Sequence, residues 1–315
     1  MSPGAQPLLA MIGAGRMGGN MLRRLARAGI SVTGFDASPT ARASLAGERG
    51  LTVAASLEAA IATLTAPRAV WIMLPAGEIT EQAVASVATA LAPRDVILDG
   101  GNSDYRDTVR RAAALAARGI HFIDVGVSGG VWGLEDGYGL MFGGPESATE
   151  PLLPIFRALA PAPDRGWVHC GPSGSGHYTK MVHNGIEYGL MQAYAEGFAL
   201  LRAKSEFELD VAAISEAWRH GTVVRSWLLD LAAGALREDS AMESVAPVVA
   251  DSGEGRWTAR EGIDLGVPLP VTAAALNARF ASQGRGDYAA RFTARLRNAF
   301  GGHAVPGKVK SQAPK

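Results

Sequence analysis

Five polar side chains of five chemical types recur at helical spacing in residues 176–190, GHYTKMVHNGIEYGL. They are an amine, an imidazole, an amide, a carboxylate and a phenol: Lys180, His183, Asn184, Glu187 and Tyr188. At 3.6 residues per turn they fall on one face of a helix, within an arc of about 140°. A solvated helix face usually repeats Lys and Glu, whereas this face holds one side chain of each type. The pattern favours a helix that lines a cleft and supplies an acid–base pair, Lys180 and Glu187.

A glycine-rich turn, GAGRMG, directly follows the apolar residues 8–12. Gly13, Gly15 and Gly18 fit a dinucleotide fingerprint, in which glycines allow the tight turn, the approach of a pyrophosphate and close helix–strand packing. Asp36 ends the next apolar run about 20 residues later, where an acid binds a ribose hydroxyl. It would repel a 2′-phosphate, so the sequence favours NAD over NADP. The predicted cofactor-binding residues are Gly13, Gly15, Arg16, Met17, Gly18, Asp36, Leu74 and Asn102.

Apolar runs alternate with helical patterns through the first half of the chain, which is typical of a parallel sheet covered by helices. The sequence predicts an α/β Rossmann-type doubly wound domain over residues 1–174. A long helix joins it to an all-α domain over residues 175–303, and residues 304–315 have the composition of a flexible tail. Asn102 and Ser128 follow two of the predicted strands, at the edge where such sheets bind their ligands.

Composition excludes several classes of function. Lys plus Arg equals Asp plus Glu, at 30 each, so no global field steers the chain to nucleic acid or an anionic membrane. No apolar run is long enough to span a bilayer. The single cysteine, Cys170, indicates a reducing cytoplasm, and neither it nor His220 has sequence neighbours that suggest a metal site. We expect a cytoplasmic protein without a metal.

Four segments resemble the decarboxylating 6-phosphogluconate dehydrogenase family in its short form, within the β-hydroxyacid dehydrogenase superfamily. They are GAGRMGGNM, ILDGGNSDYRDT, GVSGGVWGLEDGYGLMFGG and KMVHNGIEYGLMQAYAEG. The pattern K-x-x-H-N-x-x-E-Y in the last segment is the most specific, because the wider superfamily lacks its Glu–Tyr pair. The resemblance implies NAD-dependent oxidative decarboxylation of 6-phosphogluconate to ribulose 5-phosphate, a step of the pentose phosphate pathway.

The resemblance also implies roles for individual residues. Lys180 would take the proton of the C3 hydroxyl, and after carbon dioxide leaves Glu187 would protonate C1 of the enediol to give ribulose 5-phosphate. Arg297 and His303 would reach the site of a neighbouring subunit, which implies a homodimer or homotetramer. The implied substrate-binding residues are Asn102, Ser128, Gly129, Gly130, His183, Asn184, Tyr188, Arg256, Arg279, Arg297 and His303.

One loop departs from the family, and several alternatives stay open. In SGEGRWT, residues 252–258, Ser252 and Glu254 stand where the family has a lysine and a threonine. A glutamate beside a phosphate dianion is unfavourable, so unphosphorylated gluconate is an alternative substrate. Another alternative is a hydroxyacid dehydrogenase that acts on a smaller acid without decarboxylation. A non-catalytic cofactor-binding regulator is a third, against which the intact Lys180–Glu187 pair argues. The segment RNAFGG near the end is also typical of a helix that simply stops at glycine.

Overall fold

The computed structural model describes residues 8–305. These residues form two compact units, which divide between His183 and Asn184. The predicted domain boundaries, after residues 174 and 303, stay predictions. The predicted tail lies outside the described residues except for residues 304 and 305.

An eight-stranded sheet is the centre of the first unit, in the order β3-β2-β1-β4-β5-β6-β7-β8. The strands are β1 (Leu9–Ile12), β2 (Val32–Phe35), β3 (Leu51–Val53), β4 (Ala69–Ile72), β5 (Val96–Asp99), β6 (His121–Ser128), β7 (Gly139–Gly143) and β8 (Trp167–Gly171). Strands β1 to β6 are parallel, whereas β7 is antiparallel to β6 and β8 is parallel to β7. The strand order reverses at β1, which lies between β2 and β4, so the predicted doubly wound sheet is confirmed.

Helices cover both faces of this sheet. They are α1 (Arg16–Arg27), α2 (Pro39–Ser44), α3 (Leu57–Ala62), α4 (Glu78–Thr89), α5 (Tyr105–Ala116), α6 (Gly133–Asp136), α7 (Glu146–Thr149) and α8 (Leu153–Leu159). Alternate residues of β1 enter two separate cores. Leu9 and Met11 belong to a core that includes α1 and α8, and Ala10 and Ile12 to one that includes α3 and α4. Burial on both faces explains why the central strands read as continuous apolar runs.

The second unit is helical, and a long helix leads into it. The helices are α9 (Ser175–Ala203), α10 (Val211–Trp218), α11 (Trp227–Glu238), α12 (Glu254–Asp264), α13 (Pro270–Ser282) and α14 (Asp287–Gly301). The predicted long helix and all-α region are therefore confirmed. Within residues 8–305, no helix is both long and apolar enough to cross a membrane.

Candidate active site

The glycine-rich turn between β1 and α1 has the geometry of a phosphate-binding loop. Gly13 has φ +97°, and a Cβ on it would lie 2.3 Å from the Met73 carbonyl oxygen. A Cβ on Gly18 would lie 2.0 Å from the Gly13 carbonyl oxygen. A Cβ on Gly15, in contrast, would meet nothing within 4 Å, so this side of the loop is open. Gly15 caps α1 without a side chain, which leaves the positive end of the helix facing that opening.

Asp36 follows β2 and holds the glycine-rich loop directly. Its Oδ2 accepts the Ala14 backbone N–H at 2.7 Å, and its Oδ1 accepts the Ser38 N–H at 2.8 Å. Arg42 turns back toward the same corner, where its Nη1 donates to the backbone oxygens of Asp36 and Ala37. An open glycine turn at a helix start with an acid at the end of the next strand fits a dinucleotide such as NAD.

The other predicted cofactor-binding residues follow neighbouring strands at the same edge of the sheet. Ile12, Ile72 and Asp99 are aligned partners at the ends of β1, β4 and β5. Leu74 comes two residues after the end of β4, and Asn102 comes three residues after the end of β5. Arg16 and Met17 open α1 at this edge. The parallel register thus brings together the residues that the sequence predicts for the cofactor.

A buried ion pair anchors the loop that carries Asn102. Asp99 accepts the Gly101 N–H at 3.0 Å and the Ser103 hydroxyl at 2.9 Å. The Arg111 guanidinium lies 3.3 Å from the Asp99 carboxylate, and both side chains are almost fully buried. Asn102 stays exposed at the tip of this loop. Sequence analysis missed this anchor, although a lone acid at the end of the apolar run VILD was its signal.

Lys180, His183 and Ser128 meet in the first unit. The Lys180 side chain is buried, with its Nζ 3.4 Å from His183 Nδ1. The other ring nitrogen of His183 lies 3.5 Å from the Ser128 hydroxyl. Gly129 and Gly130 follow with φ +131° and +54°, so the turn after β6 depends on glycine. The structure therefore brings together residues of α9 and of the β6 loop that are 52 or more positions apart in sequence.

The first turn of α9 is seated on the sheet by Asp124 of β6. The Asp124 carboxylate accepts the Gly174 N–H at 2.6 Å and the His177 N–H at 2.7 Å, so it caps the helix. Burial raises the pKa of Asp124, against the opposing effects of His177 and of these N–H groups. A Cβ on Gly126 would lie 2.4 Å from the Lys180 Cβ, which shows how closely the helix approaches β6. Asp124 is a second residue that sequence analysis missed, a lone acid within the apolar strand HFIDVGV.

The polar face predicted for α9 is the buried face. Lys180 and Asn184 are each 8% exposed and Tyr188 is 5% exposed, while His183 and Glu187 are partly buried. Three large apolar side chains of the same helix are exposed instead: Val182, Ile186 and Leu190. A helix that buries polar groups and exposes apolar ones is not organised for ordinary core packing.

Tyr188 and Arg279 contact each other in the second unit, and Arg279 also bonds to the segment that carries Arg256 and two carboxylates. The Arg279 Cζ lies 3.4 Å from the centre of the Tyr188 ring. Arg256 Nε is paired with Asp251 Oδ2 at 2.5 Å. Glu254 is 4% exposed, and it accepts the Ser252 hydroxyl at 2.6 Å and the Tyr188 hydroxyl at 3.5 Å. Two arginines and two carboxylates leave this cluster formally neutral.

Arg297 and His303 lie at the exposed end of α14. The helix ends with Gly302 in the left-handed conformation, φ +64°, and the Gly302 N–H bonds to the Asn298 oxygen at 2.9 Å. The Asn298 side chain also donates to the His303 oxygen at 2.8 Å. The glycine pair therefore ends a helix, as the second interpretation of RNAFGG expects. The two basic side chains remain on the surface of their own chain.

Within residues 8–305, no group of three or more His, Cys, Asp or Glu side chains is placed to hold a metal ion. The residues collected above are instead an amine, an imidazole, hydroxyls, amides, carboxylates and glycine turns.

Comparisons with known proteins cover almost the whole chain. A model of the NAD binding domain of 6-phosphogluconate dehydrogenase matches residues 8–171, and a model of the 6-phosphogluconate dehydrogenase C-terminal domain matches residues 176–305. The NAD(+)-dependent, decarboxylating 6-phosphogluconate dehydrogenase of Haloferax volcanii is 42% identical over 301 residues, 95% of this chain and 99% of that protein. An NADP(+)-dependent, decarboxylating 6-phosphogluconate dehydrogenase of Bacillus subtilis is 35% identical over 286 residues, 87% of this chain and 61% of that protein.

The fold is also similar to that of a solved structure. Plasmodium falciparum 6-phosphogluconate dehydrogenase superposes with a TM-score of 0.80 at 24% identity, over 96% of this chain and 67% of that one. The two matching family models, together with a relative that this chain covers almost completely, decide the assignment. The chain belongs to the 6-phosphogluconate dehydrogenase family.

Proposed function

We propose that the protein oxidises and decarboxylates 6-phosphogluconate to ribulose 5-phosphate and carbon dioxide, with NAD as the preferred electron acceptor. The observation that carries this proposal is the buried polar face of α9, which presents Lys180 and Glu187 two helical turns apart. A β-keto acid loses carbon dioxide readily, so oxidation at C3 followed by proton transfers is sufficient chemistry. The lone cysteine supports a cytoplasmic location.

NAD, when bound, accepts the two electrons and the hydrogen that leave C3 of the substrate. Gly13, Gly15 and Gly18 would hold its pyrophosphate against the start of α1. Asp36 would accept a ribose hydroxyl, and its charge disfavours the 2′-phosphate of NADP. Relatives named for either cofactor occur in the family. Arg16, Met17, Leu74 and Asn102 would line the remainder of the cofactor site.

Lys180 is proposed as the general base. Its amine would take the proton from the C3 hydroxyl as the carbon is oxidised, and would then donate a hydrogen bond to the oxygen of the developing enolate. His183, 3.4 Å away, holds the amine in place and reaches the Ser128 hydroxyl on its other side. The Asp124 cap fixes the start of α9 and with it the position of Lys180.

Glu187 is proposed as the acid that delivers a proton to C1 of the enediol, the former C2 of the substrate, after carbon dioxide has left. It follows Lys180 by seven residues on the same helix, about 10 Å along the axis. Both side chains lie on the face of α9 that holds the other polar groups, so each is placed to act on the same substrate. Ser128, Gly129 and Gly130 would hold the carboxylate, and Asn102, His183 and Asn184 the hydroxyls.

The phosphate group of the substrate would bind near Tyr188, Arg256 and Arg279. The carboxylates of Asp251 and Glu254 in the same cluster favour a second candidate substrate, unphosphorylated gluconate, because they cancel the charge of the two arginines. Arg297 and His303 would supply the missing positive charge from a neighbouring subunit. This arrangement requires a homodimer or a homotetramer.

The first experiment measures NADH and carbon dioxide from 6-phosphogluconate, with NADP and gluconate in parallel assays. We expect equal amounts of NADH and carbon dioxide, and slower turnover with NADP. NADH without carbon dioxide would instead support a hydroxyacid dehydrogenase without decarboxylation. Turnover of gluconate alone would identify the second candidate, and no turnover of either acid would support a regulator.

A further inference from the structure

The buried arginine of α5, Arg111, is bonded to carboxylates on two other elements. Its Nε donates to Glu81 Oε2 at 2.8 Å, in the first turn of α4, and its Nη1 lies 3.3 Å from Asp99 Oδ2, at the end of β5. The Arg111 and Asp99 side chains are 2% and 0% exposed. An unpaired charge is costly in such a buried position, so both contacts constrain the elements that carry them.

The Asp99 contact acts on the loop that carries Asn102. The same carboxylate accepts the Gly101 N–H and the Ser103 hydroxyl, so it bonds to both sequence neighbours of Asn102. The Asn102 side chain is exposed between them. Arg111 therefore fixes the carboxylate that shapes the backbone on both sides of a predicted ligand-binding side chain.

The Glu81 contact acts on the loop that carries Leu74. Thr80, the buried residue next to Glu81, donates its hydroxyl to the Pro75 carbonyl oxygen at 2.8 Å, and so ties the start of α4 to the residue after Leu74. The two loops also touch, because a Cβ on Gly101 would lie 2.8 Å from the Leu74 carbonyl oxygen. The guanidinium is thus connected to both loops, and the loops pack against each other.

Both loops belong to the same half of the sheet. A doubly wound sheet binds a dinucleotide across the point at which the strand order reverses, with one nucleotide on each half. The β1–β2 half supplies the glycine-rich loop and Asp36, which would hold the adenosine side of NAD. Leu74 and Asn102 follow β4 and β5 on the other half, where the nicotinamide nucleotide would lie.

We propose that Arg111 is a positioning residue for the nicotinamide nucleotide of NAD. By its bonds to Asp99 and Glu81 it holds the two loops in the arrangement that binds this half of the cofactor. Without these bonds the loops spend part of the time in other arrangements, and the apparent Kd rises as the competent fraction falls. This inference rests on the cofactor site of the proposed function and does not depend on the decarboxylation.

The test compares a ligand that needs both halves of the site with one that needs only the adenosine half. Isothermal titration calorimetry on the full chain, without 6-phosphogluconate, measures the Kd of NAD and of ADP. In Arg111→Met we expect the Kd of NAD to rise about tenfold, as when the competent arrangement is populated about a tenth of the time, and that of ADP to change less than about twofold.

Arg110→Met is the matched control. Arg110 is the sequence neighbour of Arg111 and also bonds to Glu81, at 2.7 Å, but its side chain is 56% exposed and its other ion pair is with Asp107 on the surface. We expect this variant to bind both NAD and ADP like the wild type. A loss of NAD affinity as large as that in Arg111→Met would overturn the proposal, because it would assign the effect to Glu81 and α4 alone.

A second variant separates positioning from misfolding. Arg111→Met leaves Asp99 as an unpaired buried carboxylate, which destabilises a fold strongly. The double variant Arg111→Met with Asp99→Asn buries no such charge, and we expect the same selective loss of NAD affinity from it. Unchanged NAD affinity, or equal weakening of NAD and ADP, would overturn the proposal and leave Arg111 a purely structural role. A wild type that binds NAD but does not oxidise 6-phosphogluconate would contradict the proposed function and leave this inference intact.

Discussion

Asp36 combines a structural task with a selective one. Its carboxylate accepts the N–H groups of Ala14 and Ser38, so it shapes the glycine-rich loop before any cofactor binds. In our proposal its charge also disfavours the 2′-phosphate of NADP. Asparagine keeps one acceptor oxygen and loses the charge, whereas alanine loses both. The two substitutions therefore separate the tasks.

We expect Asp36→Asn to increase kcat/KM for NADP relative to NAD by about tenfold, because removal of a like charge is worth roughly 1.4 kcal/mol at such a site. Arg42, already bonded to the backbone at residue 36, is placed to approach the phosphate. Asp36→Ala should also lose about tenfold in kcat/KM for NAD, because the loop loses its acceptor. Steady-state assays with both cofactors test this. An unchanged ratio in the asparagine variant would show that another residue selects the cofactor.

In our proposal Lys180 and Glu187 serve different proton transfers, so their substitutions should fail at different steps. We expect Lys180→Met to lower NADH formation by about 10²–10⁴-fold, the usual contribution of a general base. Glu187→Gln should abolish the exchange of the ribulose 5-phosphate C1 hydrogen with deuterated water, measured by NMR. Glu196→Gln is the matched control, since Glu196 is exposed on the same helix. If Glu187→Gln retains full C1 exchange, another group is the acid.

At the scale of the element, α9 depends on a residue outside itself. The helix begins at Ser175, and Asp124 of β6 caps its first turn through the Gly174 and His177 N–H groups. The His177 ring is buried as well, with its Nδ1 2.7 Å from the Thr108 hydroxyl. Lys180 is only one turn beyond these contacts. The strand therefore sets the position of the proposed base.

We predict that Asp124→Asn costs about 1–2 kcal/mol of stability, because the two N–H groups donate to different carboxylate oxygens and the amide replaces one of these by an NH2 donor. It should also lower kcat about 10–100-fold with little change in the KM for NAD, since small displacements of a reacting group are costly. Urea unfolding and steady-state kinetics measure the two effects. Asp210→Ala, which removes the cap of α10, should cost similar stability and leave kcat unchanged. A wild-type kcat in a destabilised Asp124→Asn would restrict the role of Asp124 to folding.

Long periodic elements were predictable from sequence, and short ones were not. The runs that became β1, β4 and β5 are buried on both faces and read as continuous apolar stretches. Strand β3 has no buried residue, and β8 contains the polar residues His169 and Cys170, so neither shows a clear apolar periodicity. The short helices α7 and α8 were also not predicted; Pro145 directly precedes α7, and Pro154 lies in the first turn of α8.

The site was predictable in part, for a related reason. The α9 face follows from helical spacing, and the glycine loop from its fingerprint. The Asp124 cap and the Asp99–Arg111 pair depend on contacts between distant parts of the chain, which spacing does not encode. Glu254 was identified as a departure from the family, but its bonds to Ser252 and Tyr188 required the fold.

At the scale of the whole molecule, Glu81 links two arginines of α5 to α4. Hydrogen bonds from Arg110 foremost, and from Arg111, lower the pKa of Glu81 to about 2. A carboxylate whose pKa is lowered by folding stabilises the folded state at any pH above its unfolded-state pKa, near 4.5. This stabilisation is lost as the pH falls from 4.5 toward 2. Glu81 is partly exposed, so solvent screening makes the contribution modest.

We therefore expect Glu81→Gln to be less stable than the wild type at pH 7 and to depend less on pH between 4.5 and 2. Urea midpoints across this range measure the difference. Glu78→Gln, at an exposed position in the same helix, should follow the wild-type curve. Coinciding curves for the wild type and Glu81→Gln would show that the ion pairs contribute nothing to folding.

Whether Arg297 serves its own site or a neighbour's can be decided with inactive partners. We expect Lys180→Met and Arg297→Met each to lower activity strongly. If Arg297 acts in trans, a hybrid of the two chains contains one site with both native residues and one site with neither. After equimolar mixing about half of the dimers are hybrids, and half of the sites in each hybrid are intact. Activity should therefore recover to about a quarter of the wild-type value. If Arg297 acts in cis, every site of every dimer lacks one residue and mixing restores nothing. NADH formation before and after subunit exchange distinguishes action in trans from action in cis. The control is a mixture of Lys180→Met and Glu187→Gln chains, which should stay inactive because both residues lie on α9 of the same chain.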